Sequence, residues 1–234
     1  MRLLLLSNST SPGRSYLEHA VPWLREFLSG ASRVAFVPYA GVTVPWNDYA
    51  AKVRGTLDPL GIELVSVHEV ANPTDALEGV NAVLVGGGNT FHLLREMVAT
   101  GLVEAIRQRV REGLPFVGWS AGSNVACPTI RTTNDMPIVE PPSFDALGFV
   151  PFQINPHYTD AHPEGHQGET RAQRLAEFVT ANPEVPVIGL PEGTALRINA
   201  RQLDLLGGDA LRFDPDSPEG RPTTVEAIRG LAAL

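Results

Sequence analysis

Ser120 stands between two glycines in Gly118-Trp119-Ser120-Ala121-Gly122, directly after the apolar pair Phe116-Val117. Gly-x-Ser-x-Gly between a strand and a helix exposes a serine hydroxyl on a sharp turn, and the helix N-terminus favours negative charge developing there. The same pattern also occurs by chance in ordinary turns, so a nucleophile further requires a base, an orienting acid and oxyanion donors. Donors are offered by Gly86-Gly87-Gly88-Asn89-Thr90, where three glycines free the backbone to present N–H groups. This cluster is not a dinucleotide fingerprint, because Phe91 occupies the third glycine position, and it lacks the lysine of a phosphate loop. A tight turn without chemistry is the competing reading.

Six histidines are candidates for the base. His19 and His92 fall in helical patterns and His68 ends a strand, so all three read as structural or surface residues. His157, in Asn-Pro-His-Tyr-Thr-Asp, follows a β-like stretch, the strand-end position at which α/β proteins assemble sites. His162 and His166 read as solvated loop residues. No metal site is expected, because the irregular loop holding the three later histidines has no H-E-x-x-H helix geometry. Two acids could orient the imidazole. Glu192 follows the buried run Val-Ile-Gly-Leu-Pro, whereas Asp135 lies in a long loop fifteen residues after Ser120. Position favours Glu192, and Asp135 stays open. Cys127, the sole cysteine, excludes an internal disulfide and reads as a small buried apolar residue.

These residues need a scaffold. Arg2–Ser7, Arg33–Pro38, Glu63–His68, Ala82–Gly86 and Pro115–Trp119 are short runs with successive apolar positions, as in parallel strands covered on both faces. Helical patterns alternate with them. Leu17, Ala20, Val21, Leu24, Phe27 and Leu28 form one stripe, residues 46–60 another, and residues 90–110 two helices broken near Gly101. Strand–helix alternation at this spacing implies an α/β fold with a mainly parallel sheet and helices on both faces. Residues 128–168 lack periodicity and are rich in Pro, Asn, Asp, His and Gly, a long loop of the kind that carries function. A helix over residues 170–182, a strand at Val-Pro-Val-Ile-Gly-Leu and short antiparallel strands turning near residues 199–200 and 207–208 complete the reading. With no repeat or linker, residues 1–234 form one expected domain.

Composition narrows the function classes. The hydrophobic fraction of 43% suits a packed globular chain, and a net charge of −8 supplies no footprint for nucleic acid or an anionic membrane. The apolar run Leu3–Leu6 is shorter than the roughly 7–15 residues of a signal-peptide core, and no stretch approaches the ~18 of a membrane span. A cytoplasmic location is expected.

Leu-Leu-Leu-Leu-Ser-Asn-Ser-Thr, Val-Gly-Gly-Gly-Asn-Thr-Phe, the segment from Gly118 through Ile138, Gln-Ile-Asn-Pro-His-Tyr-Thr, and the segment Val187–Gly193 closely resemble the peptidase E family of bacterial α-aspartyl dipeptidases. The likeness runs from residue 2 to about residue 208. It implies a class I glutamine amidotransferase-like (flavodoxin-like) fold and removal of N-terminal aspartate from Asp-Xaa dipeptides, without metal or organic cofactor. By position it implies Ser120 as nucleophile, His157 as base, Glu192 or Asp135 as third member, and the Gly88 and Ala121 amides as oxyanion hole. An aspartate substrate then needs a local cation in this acidic protein. Arg131 is the only Lys or Arg between Ser120 and His157, and its guanidinium could grip a carboxylate bidentately. Asn89 and Thr133 are further substrate-binding candidates. A β-aspartyl peptidase of the cyanophycinase type and a non-catalytic binding module on the same scaffold are the alternatives. An α/β-hydrolase esterase fits less well, since 68 residues follow the last histidine. A homodimer is the assembly to test.

Overall fold

The computed structural model describes residues 1–161, 165, 167–200 and 202–232. The strands are β1 (Arg2–Leu6), β2 (Arg33–Val37), β3 (Glu63–Ser66), β4 (Ala82–Val85), β5 (Phe116–Trp119), β6 (Gln153–Tyr158), β7 (Val187–Pro191), β8 (Ala195–Asn199), β9 (Gln202–Leu206), β10 (Ala210–Asp214) and β11 (Ser217–Thr223). The helices are α1 (Val21–Phe27), α2 (Trp46–Leu57), α3 (Thr90–Ala99), α4 (Leu102–Arg111), α5 (Ala121–Asn124), α6 (Arg171–Ala181) and α7 (Val225–Ala232). Among the described residues, no helix is long and apolar enough to cross a membrane.

A seven-stranded sheet has the order β3-β2-β4-β5-β1-β8-β9, its first five strands parallel and its last two antiparallel. Its apolar runs are unbroken because both faces are covered. Leu3, Leu5, Val37, Val85 and Phe116 join one core, while Leu4, Leu6, Phe36, Leu84 and Trp119 join the core on the other face. Each fully buried leucine of β1 contributes about 1.5–3 kcal/mol of gross burial energy. The first core also takes in Ile154 of β6 and Ile188 and Leu190 of β7, which brings the second sheet against the first.

That second sheet, β11-β10-β7-β6, departs from the sequence expectation. The turn at Gly207-Gly208 does not close a hairpin with β9. It carries the chain across to β10, which pairs antiparallel with β7 and β11. Two helix expectations also change. Pro22 sits in the first turn of α1, so the apolar stripe is α-helical only from Val21, after a 3-10 turn at Glu18–Ala20 that Leu17 precedes with φ 57°. The helix after Ser120 is a single turn, and Cys127 lies beyond its end. The break at Gly101 is as expected, with φ 73° between α3 and α4.

Candidate active site

Ser120 ends β5 and precedes α5 with φ 52° and ψ −113°, backbone that a side-chain-bearing residue rarely adopts. The turn is held from several directions. Ser120 N–H donates to the Leu6 carbonyl at 3.1 Å, and the Ser123 hydroxyl lies 2.7 Å from the same oxygen. Behind the turn, a Cβ at Gly122 would lie 2.0 Å from the Val85 carbonyl oxygen, so only glycine lets α5 pack against β4.

His157, inside β6, also has positive φ, 53°. Its Nε2 lies 2.9 Å from Ser120 Oγ, and its Nδ1 lies 2.7 Å from Glu192 Oε1. The carboxylate can only accept, so Nδ1 carries the proton and Nε2 is left to accept from the serine hydroxyl. Side-chain exposures of 38% for His157 and 50% for Glu192 leave this pair partly solvated. Of the two candidate acids, Glu192 is the one that the fold brings to the His157 ring. Asp135 is elsewhere. Its Oδ2 accepts from the Thr90 N–H at 2.7 Å and the Thr90 hydroxyl at 2.6 Å, with Thr133 Oγ1 at 3.0 Å. The free N–H groups at the start of α3 hold that carboxylate away from the imidazole.

Both sheets meet at the residues just past β1. The Ser7 hydroxyl accepts from His157 N–H at 2.9 Å and donates to the Leu190 carbonyl at 2.8 Å. Asn8 Oδ1 accepts from Gly193 N–H at 2.8 Å, next to Glu192. Ser7 and Asn8 are both fully buried. Periodicity marks this segment only as the end of a strand, and although it belongs to the resembling segment Leu3–Thr10, the sequence reading gave Ser7 and Asn8 no role.

The glycine cluster faces the serine. A Cβ at Gly87 would lie 2.9 Å from Ser120 Cβ. Gly88 has φ 138°, and a Cβ there would lie 2.2 Å from the Ala40 carbonyl oxygen. The Gly88 and Ala121 amides make no main-chain hydrogen bond among the described residues. A cavity of about 570 Å³ opens in front of Ser120 and His157, bounded by Gly88, Asn89, Val42, Tyr16 and Lys52 among others.

The remaining candidates divide. Asn89 lines the cavity but uses both ends of its amide, accepting from His92 N–H at 3.0 Å and donating to the Met136 carbonyl at 2.8 Å. Thr133 belongs to the Asp135 cluster rather than the cavity wall. Arg131 does not reach the cavity. It is exposed, with Nη1 3.5 Å from Asn182 Oδ1, because its neighbour Thr132 takes the inward position and donates to the Ile154 carbonyl. Arg171 also stands outside the lining of the cavity but is bonded to the histidine's backbone, with Nη1 3.3 Å from Asn155 Oδ1 and 3.4 Å from the His157 carbonyl. Its half-burial, then the charge of Arg174, lower its pKa. Arg171 ends the segment Gly168-Glu169-Thr170-Arg171, which belongs to the family resemblance, but the sequence reading gave it no role. His68 and His92 are held by structural contacts to Ser66, Asn47 and the Tyr39 carbonyl, while His19 packs edge-on against Trp23. His162 and His166 lie outside the described residues. Cys127 is fully buried, and that burial pushes its thiol up to about 12.

Residues 3–206 match peptidase family S51. A peptidase E of Citrobacter koseri is 54% identical over 207 residues, covering 88% of this chain and 90% of that protein. A peptidase E of Salmonella arizonae is 53% identical over 208 residues, covering 89% and 90%. The crystal structure of a peptidase from an acI-B1 Actinobacterium shares the fold at TM-score 0.70 and 17% identity, covering 95% of this chain and 93% of that one.

Proposed function

The chain belongs to peptidase family S51, and from that premise we propose that it is a serine dipeptidase releasing aspartate from the N-terminus of Asp-Xaa dipeptides. The observation that carries the reading is the unbroken line from Ser120 Oγ through His157 to Glu192, at 2.9 and 2.7 Å. Ser120 Oγ attacks the peptide carbonyl as its proton passes to His157 Nε2. Glu192 holds the ring through Nδ1 and stabilises the imidazolium that forms. The oxyanion meets the amides of Gly88 and Ala121. His157 then gives its proton to the leaving amine, and water, deprotonated by the same nitrogen, hydrolyses the aspartyl-enzyme.

Preference for aspartate rests on the motif resemblance and on Arg171. Its half-buried guanidinium faces neutral oxygens and has no carboxylate partner among the described residues. A substrate carboxylate would supply that partner. The reading further takes residues 1–234 as one cytoplasmic domain, working without metal or organic cofactor, without nucleic-acid or membrane partners and with a homodimer as the assembly to test.

Hydrolysis of Asp-Leu, β-aspartyl-Leu and Ala-Leu by the wild type and by Arg171→Met tests this. Asp-Leu should be the preferred substrate. The variant should lose at least about tenfold in kcat/KM on Asp-Leu, the smaller end of a charge-assisted hydrogen bond, while leaving Ala-Leu unchanged. Preference for the β-linked peptide would replace the reading with an isopeptidase, and equal loss on both α-linked substrates would remove Arg171 from aspartate recognition.

A further inference from the structure

Lys52 is the only lysine in the chain, and it lies on the wall of the catalytic cavity. It projects from α2, exposed, with Nζ 4.4 Å from the centre of the Tyr16 ring. That ring is tied to the nucleophile turn. Tyr16 Oη lies 3.1 Å from Tyr49 Oη, which donates to the Gly87 carbonyl at 3.0 Å and accepts from Trp119 Nε1 at 3.0 Å. The ammonium is therefore seated on a support built from the residues that flank Ser120. It makes no ion pair among the described residues, and no carboxylate lines the cavity with it. A cation on the wall of the cavity that holds Ser120, with no carboxylate lining that cavity, fits an anionic part of the substrate.

We propose that Lys52 forms the subsite for the terminal carboxylate of the leaving residue, so that the enzyme reads a dipeptide at both ends. The inference rests on the dipeptidase reading above. In a dipeptide the terminal carboxylate lies one residue, at most about 3.6 Å of extended chain, beyond the bond that is cut. It must therefore fall within the cavity that holds Ser120. Of the residues lining that cavity, His157 is already committed to the serine and Glu192, which leaves Lys52 as the available cation. Val42 and Val44, both about half-exposed at 50% and 46%, line the same space and offer apolar surface for the leaving side chain. A longer peptide would place a neutral amide opposite Lys52 and would have to pass this rim.

The test compares Asp-Leu with Asp-leucinamide, which differ only in the terminal charge, for the wild type, Lys52→Met and Lys52→Arg. Wild type should favour the free acid by about tenfold in kcat/KM, the lower range for a charge-assisted contact at an exposed cation. Lys52→Met should erase that preference by lowering Asp-Leu alone, and Lys52→Arg should retain most of it. Equal loss on both substrates, or loss on neither, would overturn the subsite while leaving the dipeptidase reading intact. Failure of wild type to cleave either substrate would overturn both.

Discussion

The proposed nucleophile and its proposed base come from regions of opposite construction. Ser120 sits in one strand–turn–helix unit, β5 to α5, between Trp119 and Ala121, which are 0% and 1% exposed. Its contacts are main-chain bonds to β1 and glycine approaches to β4. His157 near the end of β6 and Glu192 just past β7 are 38% and 50% exposed, and Ser7 and Asn8 bind the backbone of His157 and of Gly193. The first half is locally encoded on a buried strand and turn, with Ser120 itself partly exposed to the cavity; the second is a partly solvated pair held by long-range hydrogen bonds across two sheets. Substitutions in the two halves should therefore differ in kind as well as size.

The largest effect belongs to the nucleophile. Ser120→Ala removes one hydroxyl from an otherwise intact turn and should reduce kcat by at least about 10⁴-fold, as loss of a triad nucleophile does elsewhere, with the melting temperature nearly unchanged. Near-normal turnover of Asp-Leu by that variant would end the serine mechanism and dissolve the contrast.

An intermediate effect separates the two acids. Glu192→Gln keeps the size of the side chain but removes the charge that fixes the proton on His157 Nδ1. Because the pair is partly exposed, solvent compensates, and a fall in kcat of about 10²- to 10³-fold is expected, less than the ~10⁴ of a buried triad acid. Asp135→Asn should behave oppositely. It loses a carboxylate at the N-terminus of α3, costing roughly 0.5–2 kcal/mol of stability with little change in kcat below the melting transition. Measuring kcat and thermal stability for both variants would show whether Asp135 holds the helix or the imidazole.

The same contrast explains what could be read from the sequence. Ser120 was legible because strand, turn glycines and following residues are contiguous, and the five parallel strands were legible because both faces of each are apolar. Glu192 was placed by the same strand-end logic as His157. Arg131 misled because proximity along the chain, between Ser120 and His157, stood in for proximity in space; the loop turns it outward, and Arg171 on α6 comes up beside His157 instead. The second sheet went unseen for a related reason. Its order β11-β10-β7-β6 depends on a crossing at Gly207-Gly208 that local periodicity reads as a hairpin. Lys52 carries no motif at all, only a position on the second turn of α2 that tertiary packing turns toward the cavity.

The smallest and most discriminating effect concerns Ser7. Its hydroxyl is the single side chain that accepts from the backbone of the base, at His157 N–H, while donating to β7 at the Leu190 carbonyl. Ser7→Ala leaves a buried N–H and a buried carbonyl with one partner fewer, a cost of about 1–3 kcal/mol that the fold can absorb. If those bonds only held the sheets together, the variant would melt at a lower temperature and turn over normally well below it. If they set the positive-φ backbone from which the His157 ring reaches Ser120, part of that cost appears as misplacement of the base. Then kcat should fall by about tenfold at a temperature where the variant is fully folded, with KM unchanged, because small displacements of a catalytic group are costly. A lowered melting temperature with unaltered kcat would assign Ser7 to the fold alone, and the second half of the site would then hold its geometry without the β1 clamp.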